Sequence, residues 1–212
     1  MELKESNVRL AVSGATGSGK TTLAQDLAQR LEVPLLKENW APIAKARQNF
    51  FDLNADGMLG VEERRAALKE WKLSYKTWLD TRHEEQSQLN GYVADRWAAD
   101  AYSNWLRVFM SSKDDRMALY LLKTMREHAG MYDFFILLPL KRVLAEERNT
   151  DDLRRDPSLH IRIMANGLTA GLITHYLKRP IIEVPSRKMS REERVDYVLR
   201  KAELAPRPAT RH

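Results

Sequence analysis

The apolar positions of this chain change rhythm several times along its length. Val8 to Ser13 is a short run rich in β-formers that ends in a glycine-rich turn, which predicts a first strand. Thr21 to Leu31 then places Leu23, Ala24, Leu27, Ala28 and Leu31 at helical spacing. Val33 to Leu36 reads as a second strand. A long, mostly helical stretch follows from Ala41 to about Leu89, broken by a polar turn at Asp52 to Gly60. Gly91 to Ala94 predicts a third strand, and Ala98 to Phe109 another helix. Ser112 and Asp115 form a capping-box-like start for a helix that stops at Gly130. Tyr132 to Leu138 is the most continuous apolar strand, consistent with burial on both faces. After a densely charged segment, Val143 to Asp156, a helix is expected from about Pro157 to Leu177. Pro180 to Val184 gives a last strand, and Ser190 with Glu193 caps a final helix ending near Leu204. Strands alternating with helices argue for an α/β fold with a parallel sheet covered on both faces and right-handed crossovers.

At 212 residues the chain has the length of one domain, since domains hold about 100–200 residues. There are no cysteines, which excludes disulfides, zinc thiolates, iron–sulfur clusters and a cysteine nucleophile. The longest apolar run, Phe134 to Leu140, falls short of the ~18 residues of a membrane span. Met1 to Asn7 is polar and lacks the apolar core of a secretory signal, so a cytoplasmic location is expected. The net charge of +6 and pI near 9.5 favour anionic partners without choosing among nucleic acid, nucleotides and small phosphates. The basic tail, 206–212, reads as solvated. The five histidines lie apart, and no pair has metal-ligand spacing.

Chemistry enters at Gly14-Ala15-Thr16-Gly17-Ser18-Gly19-Lys20-Thr21, with Thr22 following. The pattern is G-x-x-x-x-G-K-[ST], placed directly after an expected strand and opening an expected helix. Glycines let backbone N–H groups wrap a phosphate, and the helix N-terminus adds a favourable field. Lys20 is placed for β- and γ-phosphate oxygens, and the Thr21 hydroxyl for Mg²⁺. The alternative is a glycine-rich turn that only caps a helix.

On this P-loop the chain resembles the small-molecule kinases, especially nucleoside and nucleotide kinases and nicotinamide-riboside-kinase-like ATPases. The resemblance implies a P-loop NTPase three-layer sandwich with a five-stranded parallel sheet in the order 2-3-1-4-5. It places a single kinase domain over residues 1–205, with a helical insert at about 41–89 and a lid at about 141–157. It also implies ATP and Mg²⁺ as cofactors and phosphoryl transfer to a small acceptor, a nucleoside or a nucleotide. Such kinases place an acidic residue over the acceptor hydroxyl at the end of strand two. Here that residue is Glu38, in Lys37-Glu38-Asn39-Trp40. A carboxylate there can accept the hydroxyl proton as the acceptor attacks. Nucleoside kinases have a similar Glu followed by a Trp at a different spacing.

The third strand ends in Asp95-Arg96-Trp97, which looks like the family's D/E-R-x motif. Asp95 is the candidate to hold Mg²⁺, directly or through water, and Arg96 to clamp phosphate oxygens. The alternative is an N-capping Asp beside a surface Arg. Asp100 is a candidate to hydrogen-bond a substrate sugar. In the lid segment the family carries mobile arginines; Lys141, Arg142, Arg148, Arg154 and Arg155 fall there, with Arg148 and Arg155 the first choices. Arginines that arrive on closure stabilise charge on the transferring phosphoryl oxygens.

One segment departs from the kinase pattern. Asp52 to Glu63 matches a twelve-residue EF-hand loop: Asp52, Asn54 and Asp56 at positions 1, 3 and 5, the Met58 carbonyl at 7 and Glu63 at 12. Ca²⁺ binding there, as a clip between two helices, is weighed against a polar turn. Trp71, Tyr75 and Trp78 recur near helical spacing, which favours a packed helix face over a base-stacking platform. The reading is therefore a cytoplasmic ATP- and Mg²⁺-dependent kinase with a small-molecule acceptor and no membrane partner. A polynucleotide-end kinase and a non-catalytic ATP-binding switch are the alternatives.

Overall fold

A computed structural model describes residues 7–55, 60–109, 115–139, 159–185 and 189–204. Five parallel strands form one sheet: β1 (Arg9–Gly14), β2 (Leu35–Leu36), β3 (Tyr92–Asp95), β4 (Phe134–Leu138) and β5 (Ile181–Glu183), in the order β2-β3-β1-β4-β5. That is the order the resemblance implies. β1 and β4 carry the sheet centre and are apolar on both faces, as parallel strands covered by helices must be.

The helices divide between the faces. α1 (Lys20–Arg30) and α7 (Arg191–Leu204) cover one side, burying Leu23, Leu27 and Val198 against Leu10, Val12 and Ile136. α7 begins with the expected capping box: Ser190 N–H donates to Glu193 Oε2 at 2.6 Å, and Glu193 N–H donates to Ser190 Oγ at 3.1 Å. The other side carries α2 (Ala41–Ala55), α3 (Val61–Ser87), α4 (Ala98–Phe109), α5 (Asp115–Ala129) and α6 (Leu159–Gly171). α6 continues into a π-helical turn, Leu172–Tyr176. Among the described residues, no helix is long and apolar enough to cross a membrane.

This second core is aromatic. Trp71, Tyr75, Trp97 and Trp105 are fully or almost fully buried. The Trp71 and Trp105 rings lie 5.9 Å apart, and Trp40 packs edge-on against Trp78 at 5.1 Å. The Trp71-Tyr75-Trp78 stripe is therefore the packed face that its spacing favours. It ties the helical pair α2–α3 to α4 and, through Trp78 and Trp40, to the loop after β2.

The EF-hand reading is not carried by the fold. α2 remains helical through Ala55, four residues into the segment that was expected to be a turn. Gln48 Nε2 donates to Asp52 Oδ1 at 2.6 Å, an i,i+4 pair that favours continued helix over a ligand loop. Glu63 Oε2 instead accepts from the Gly60 N–H at 2.9 Å and caps α3. Asn54 sits in the helix, and Asp56 and Met58 lie outside the described residues. Among the described residues no group of three or more His, Cys, Asp or Glu side chains is arranged to hold a metal ion.

Candidate active site

Sheet register assembles the site. Val12 pairs with Asp95 and Gly14 with Leu138, so β1 delivers its C-terminal loop between the ends of β3 and β4. Gly14 has a φ of 152°, and a Cβ there would lie 2.8 Å from Ser18 Oγ and 3.2 Å from the Leu138 carbonyl oxygen. Glycine is required by that close approach. Gly19, at φ 90°, turns the chain into α1, and its carbonyl accepts the first helical bond from the Leu23 N–H at 3.0 Å.

Lys20 follows at the start of α1 and is 5% exposed. Burial, reinforced by the charge of Arg96, pushes its pKa down to about 8, while Glu38, Asp95 and Asp100 pull the other way. Lys20 Nζ lies 3.9 Å from Glu38 Oε2. The other carboxylate oxygen of Glu38 lies 2.7 Å from Arg96 Nε. Three residues from α1, the β2 end and the β3 end thus meet in one ionic cluster.

Each side of that cluster is held from behind. Trp78 Nε1 donates to the Glu38 carbonyl oxygen at 2.7 Å, and Arg82 donates to the Lys37 carbonyl oxygen. Helix α3 therefore fixes the β2 loop that presents Glu38. Arg96 adopts a left-handed φ of 70°, uncommon for a residue with a side chain. Its N–H donates to the Val12 carbonyl oxygen at 3.0 Å, which pins the strained residue beside the P-loop.

Asp95 is buried, and burial pushes its carboxyl pKa up against a hydrogen bond from Thr21 and the charge of Lys20. Its Oδ1 has no hydrogen-bond partner among the described residues. A Thr hydroxyl beside a carboxylate with an oxygen to spare fits a hard divalent cation, which takes its remaining ligands from water and phosphate.

Asp100 is almost fully buried at the edge of the same group of residues, and its Oδ2 accepts from Ser13 Oγ at 2.7 Å and from the Trp97 N–H at 3.2 Å. Trp97 Nε1 in turn donates to Ser13 Oγ at 3.1 Å. With Arg96 Nη1 3.8 Å from Oδ1, this carboxylate ties β1, α4 and Arg96 to one another at the cavity lining.

The P-loop and the ionic cluster open onto one cavity of about 920 Å³. The expected residues Gly14, Ala15, Thr16, Gly17, Gly19, Lys20, Thr21, Thr22, Glu38 and Arg96 all line it. Ser18 and Asp95 are buried and do not line it. Arg148 and Arg155 lie outside the described residues, as do Lys141, Arg142 and Arg154.

Sequence reading missed two arginines at the P-loop. A Cβ on Gly17 would lie 3.6 Å from Arg162 Nη2, and one on Gly19 would lie 3.6 Å from Arg194 Nη1. Arg162 comes from α6 and Arg194 from α7, whose guanidinium also donates to the Met189 carbonyl oxygen at 3.0 Å. No spacing links positions so far apart in sequence; only the sheet order brings them to the loop.

No protein-family model matches the sequence, and no curated protein matches it. Solved structures do. The deoxyadenosine kinase from M. mycoides with bound dATP superposes with a TM-score of 0.63 at 14% identity, over 93% of this chain and all of that one. The thymidylate kinase from Candida albicans superposes with a TM-score of 0.61 at 14% identity, over 93% of this chain and 92% of that one. This is the P-loop kinase fold. NadR protein in complex with NR is similar as well, with a TM-score of 0.61 at 14% identity, and there 97% of this chain matches 54% of the longer protein. The first two of these neighbours are a nucleoside kinase and a nucleotide kinase, and at such identity the likeness is one of fold.

Proposed function

We propose that this chain is an ATP-dependent kinase that transfers a phosphoryl group to a small acceptor of the nucleoside or nucleotide class. One observation carries the reading: the P-loop and the Glu38–Arg96 pair face the same cavity. A loop that only capped a helix would need no carboxylate across from it. The fold neighbours support the acceptor class, since they are kinases of nucleosides and nucleotides.

In this reading the P-loop amides and Lys20 bind the donor's β- and γ-phosphates. Thr21 and Asp95 would hold Mg²⁺, which when bound neutralises charge on the phosphate oxygens. Glu38 orients the acceptor hydroxyl and takes its proton as the oxygen attacks phosphorus. Arg96 lies on the same carboxylate and meets charge spreading over the transferred group. Asp100 positions Arg96 and keeps it beside the loop. The test is a transfer assay with labelled ATP over a panel of nucleosides and nucleotides, read together with ligand-induced thermal shift. Label moving to at least one acceptor is the expected result. ATP binding with no transfer to any of them would leave a nucleotide-binding protein without kinase chemistry.

Lys20 also gives the site a pH signature. Near pH 8 the buried amine of the free protein is about half protonated. A triphosphate favours the ammonium form, so binding at that pH takes up protons and affinity falls as pH rises further. Calorimetric titration at pH 8 in buffers of different ionisation enthalpy should show net proton uptake. Because the folded value lies below the usual lysine value, the free protein bears a cost for Lys20 that is fully present below pH 8. That cost disappears as pH rises from about 8 towards the ordinary lysine value of 10.5.

A further inference from the structure

Of the four residues from Lys37 to Trp40, three are held by one helix, α3. Arg82 donates from Nη2 to the Lys37 carbonyl oxygen, and Trp78 Nε1 donates to the Glu38 carbonyl oxygen at 2.7 Å. The Trp40 ring stands edge-on to Trp78 at 5.1 Å and to Tyr75 at 5.9 Å. The two carbonyls belong to the peptide units on either side of the Glu38 Cα. A peptide unit is planar, so anchoring both of them fixes the Glu38 backbone dihedrals and with them the direction of its Cβ. Asn39, the next residue, takes a left-handed φ of 39°. Such a backbone persists where its surroundings over-determine it, as they do here.

The same helix reaches the partner of Glu38. Trp40, braced by Trp78, has the Arg96 guanidinium 5.5 Å from its ring centroid. The Arg82 guanidinium lies 5.4 Å from the Trp78 ring centroid, so Arg82 backs Trp78 as well as Lys37. Arg82 is costly to bury. It is 2% exposed, and of its three guanidinium nitrogens only Nη2 has a hydrogen-bond acceptor among the described residues. Glu85, whose side chain is half exposed, stays 3.8 Å from Nη1. A buried guanidinium so sparsely partnered adds little to the fold. The acceptor it does find is the backbone that carries Glu38. Neither Trp78 nor Arg82 lines the cavity.

We propose that Trp78 and Arg82 are positioning residues for phosphoryl transfer, which act through Glu38 by fixing the two peptide units around it, so that its carboxylate stands beside Lys20 and Arg96 and faces the acceptor oxygen. This rests on the kinase reading and extends the catalytic apparatus to residues 40 and 45 positions along the chain from the carbonyls they hold. A displacement of about 1 Å at a reacting group can cost about 10²-fold in rate, which is the scale of effect available to such a clamp.

The test is a double-mutant cycle in the full chain, read by single-turnover transfer of label from Mg²⁺-ATP to an acceptor from the panel of nucleosides and nucleotides. Trp78→Phe removes the Nε1 donor and keeps a ring against Trp40 and Arg82. Arg82→Met removes the guanidinium and keeps an unbranched side chain. Each should lower the transfer rate at saturating substrates by about 10- to 100-fold. Donor affinity should stay within about twofold of the parent, because the P-loop is untouched. In a Glu38→Gln background the same substitutions should change the rate by no more than about twofold, since the carboxylate they aim is gone. A merely structural role would lower the rate by the same factor in both backgrounds. Two variants keep the test open if one misfolds, which melting curves report. Folded variants that transfer at the parent rate, a loss that falls on donor affinity instead of transfer, or equal losses in both backgrounds would each overturn the proposal. No transfer by the parent to any acceptor in the panel would instead remove the kinase reading, and this inference with it.

Discussion

Lys20→Met should lower phosphoryl transfer by about 10²–10³-fold or more, the usual loss when one electrostatic stabiliser of developing charge is removed. The same variant should melt at or above the temperature of the parent in the absence of nucleotide. The reason is the environment of the amine. Lys20 is enclosed, and its charged form is disfavoured by burial and by Arg96. A side chain that served the fold would cost stability when removed. A side chain held for a ligand should do the opposite, because methionine fills similar volume without a charge to bury. The stabilisation that ATP confers on the parent should shrink in step with activity. Melting curves with and without Mg²⁺-ATP, beside initial rates, separate the two roles. Full activity in a folded Lys20→Met protein would end the P-loop assignment.

What the sequence made legible follows the range of the signals. The P-loop is contiguous, and each of its residues answers to one local demand, so pattern alone located it. Glu38, Asp95 and Arg96 sit at strand ends, and a parallel sheet brings such ends together whatever the detail of the helices. Arg47, Asn104 and Arg107 were not legible. They face the cavity only because α2 and α4 pack around Tyr75 and Trp105 with a particular rotation, and rotation is set by tertiary contacts. Asp100 was legible as a polar residue near the site, but its hold on β1 was not. Its role depends on Ser13, 87 positions away. The Asp52 to Glu63 segment misled for a different reason. Turns, helix ends and calcium loops draw on the same Asp, Asn and Gly residues. The choice went to helix at Asp52, where Gln48 supplies a partner, and to capping at Glu63, where Gly60 does.

Glu38→Gln should slow the transfer step by about 10²–10⁴-fold, the range of a positioned general base, while leaving affinity for the donor nearly unchanged well below pH 8. The substitution keeps the shape of the side chain. It also keeps the local fold, because Trp78 holds the Glu38 backbone carbonyl rather than its carboxylate. What it removes is the charge that Lys20 and Arg96 share. Loss of that charge has a second consequence that a base alone would not predict. Lys20 loses one of the partners that favour its ammonium form, so its pKa should fall further below 8. The pH above which donor affinity declines should therefore move down in the variant. Single-turnover transfer measured from pH 6 to 9 over a range of donor concentrations gives the transfer rate at saturation and the donor affinity at each pH, and so reads both effects. A rate near that of the parent at every pH would reduce Glu38 to a structural counter-ion. A slowed rate with an unshifted affinity profile would leave it a base that does not couple to Lys20. The two changes together would identify one carboxylate that prepares the acceptor and holds the phosphate-binding amine charged.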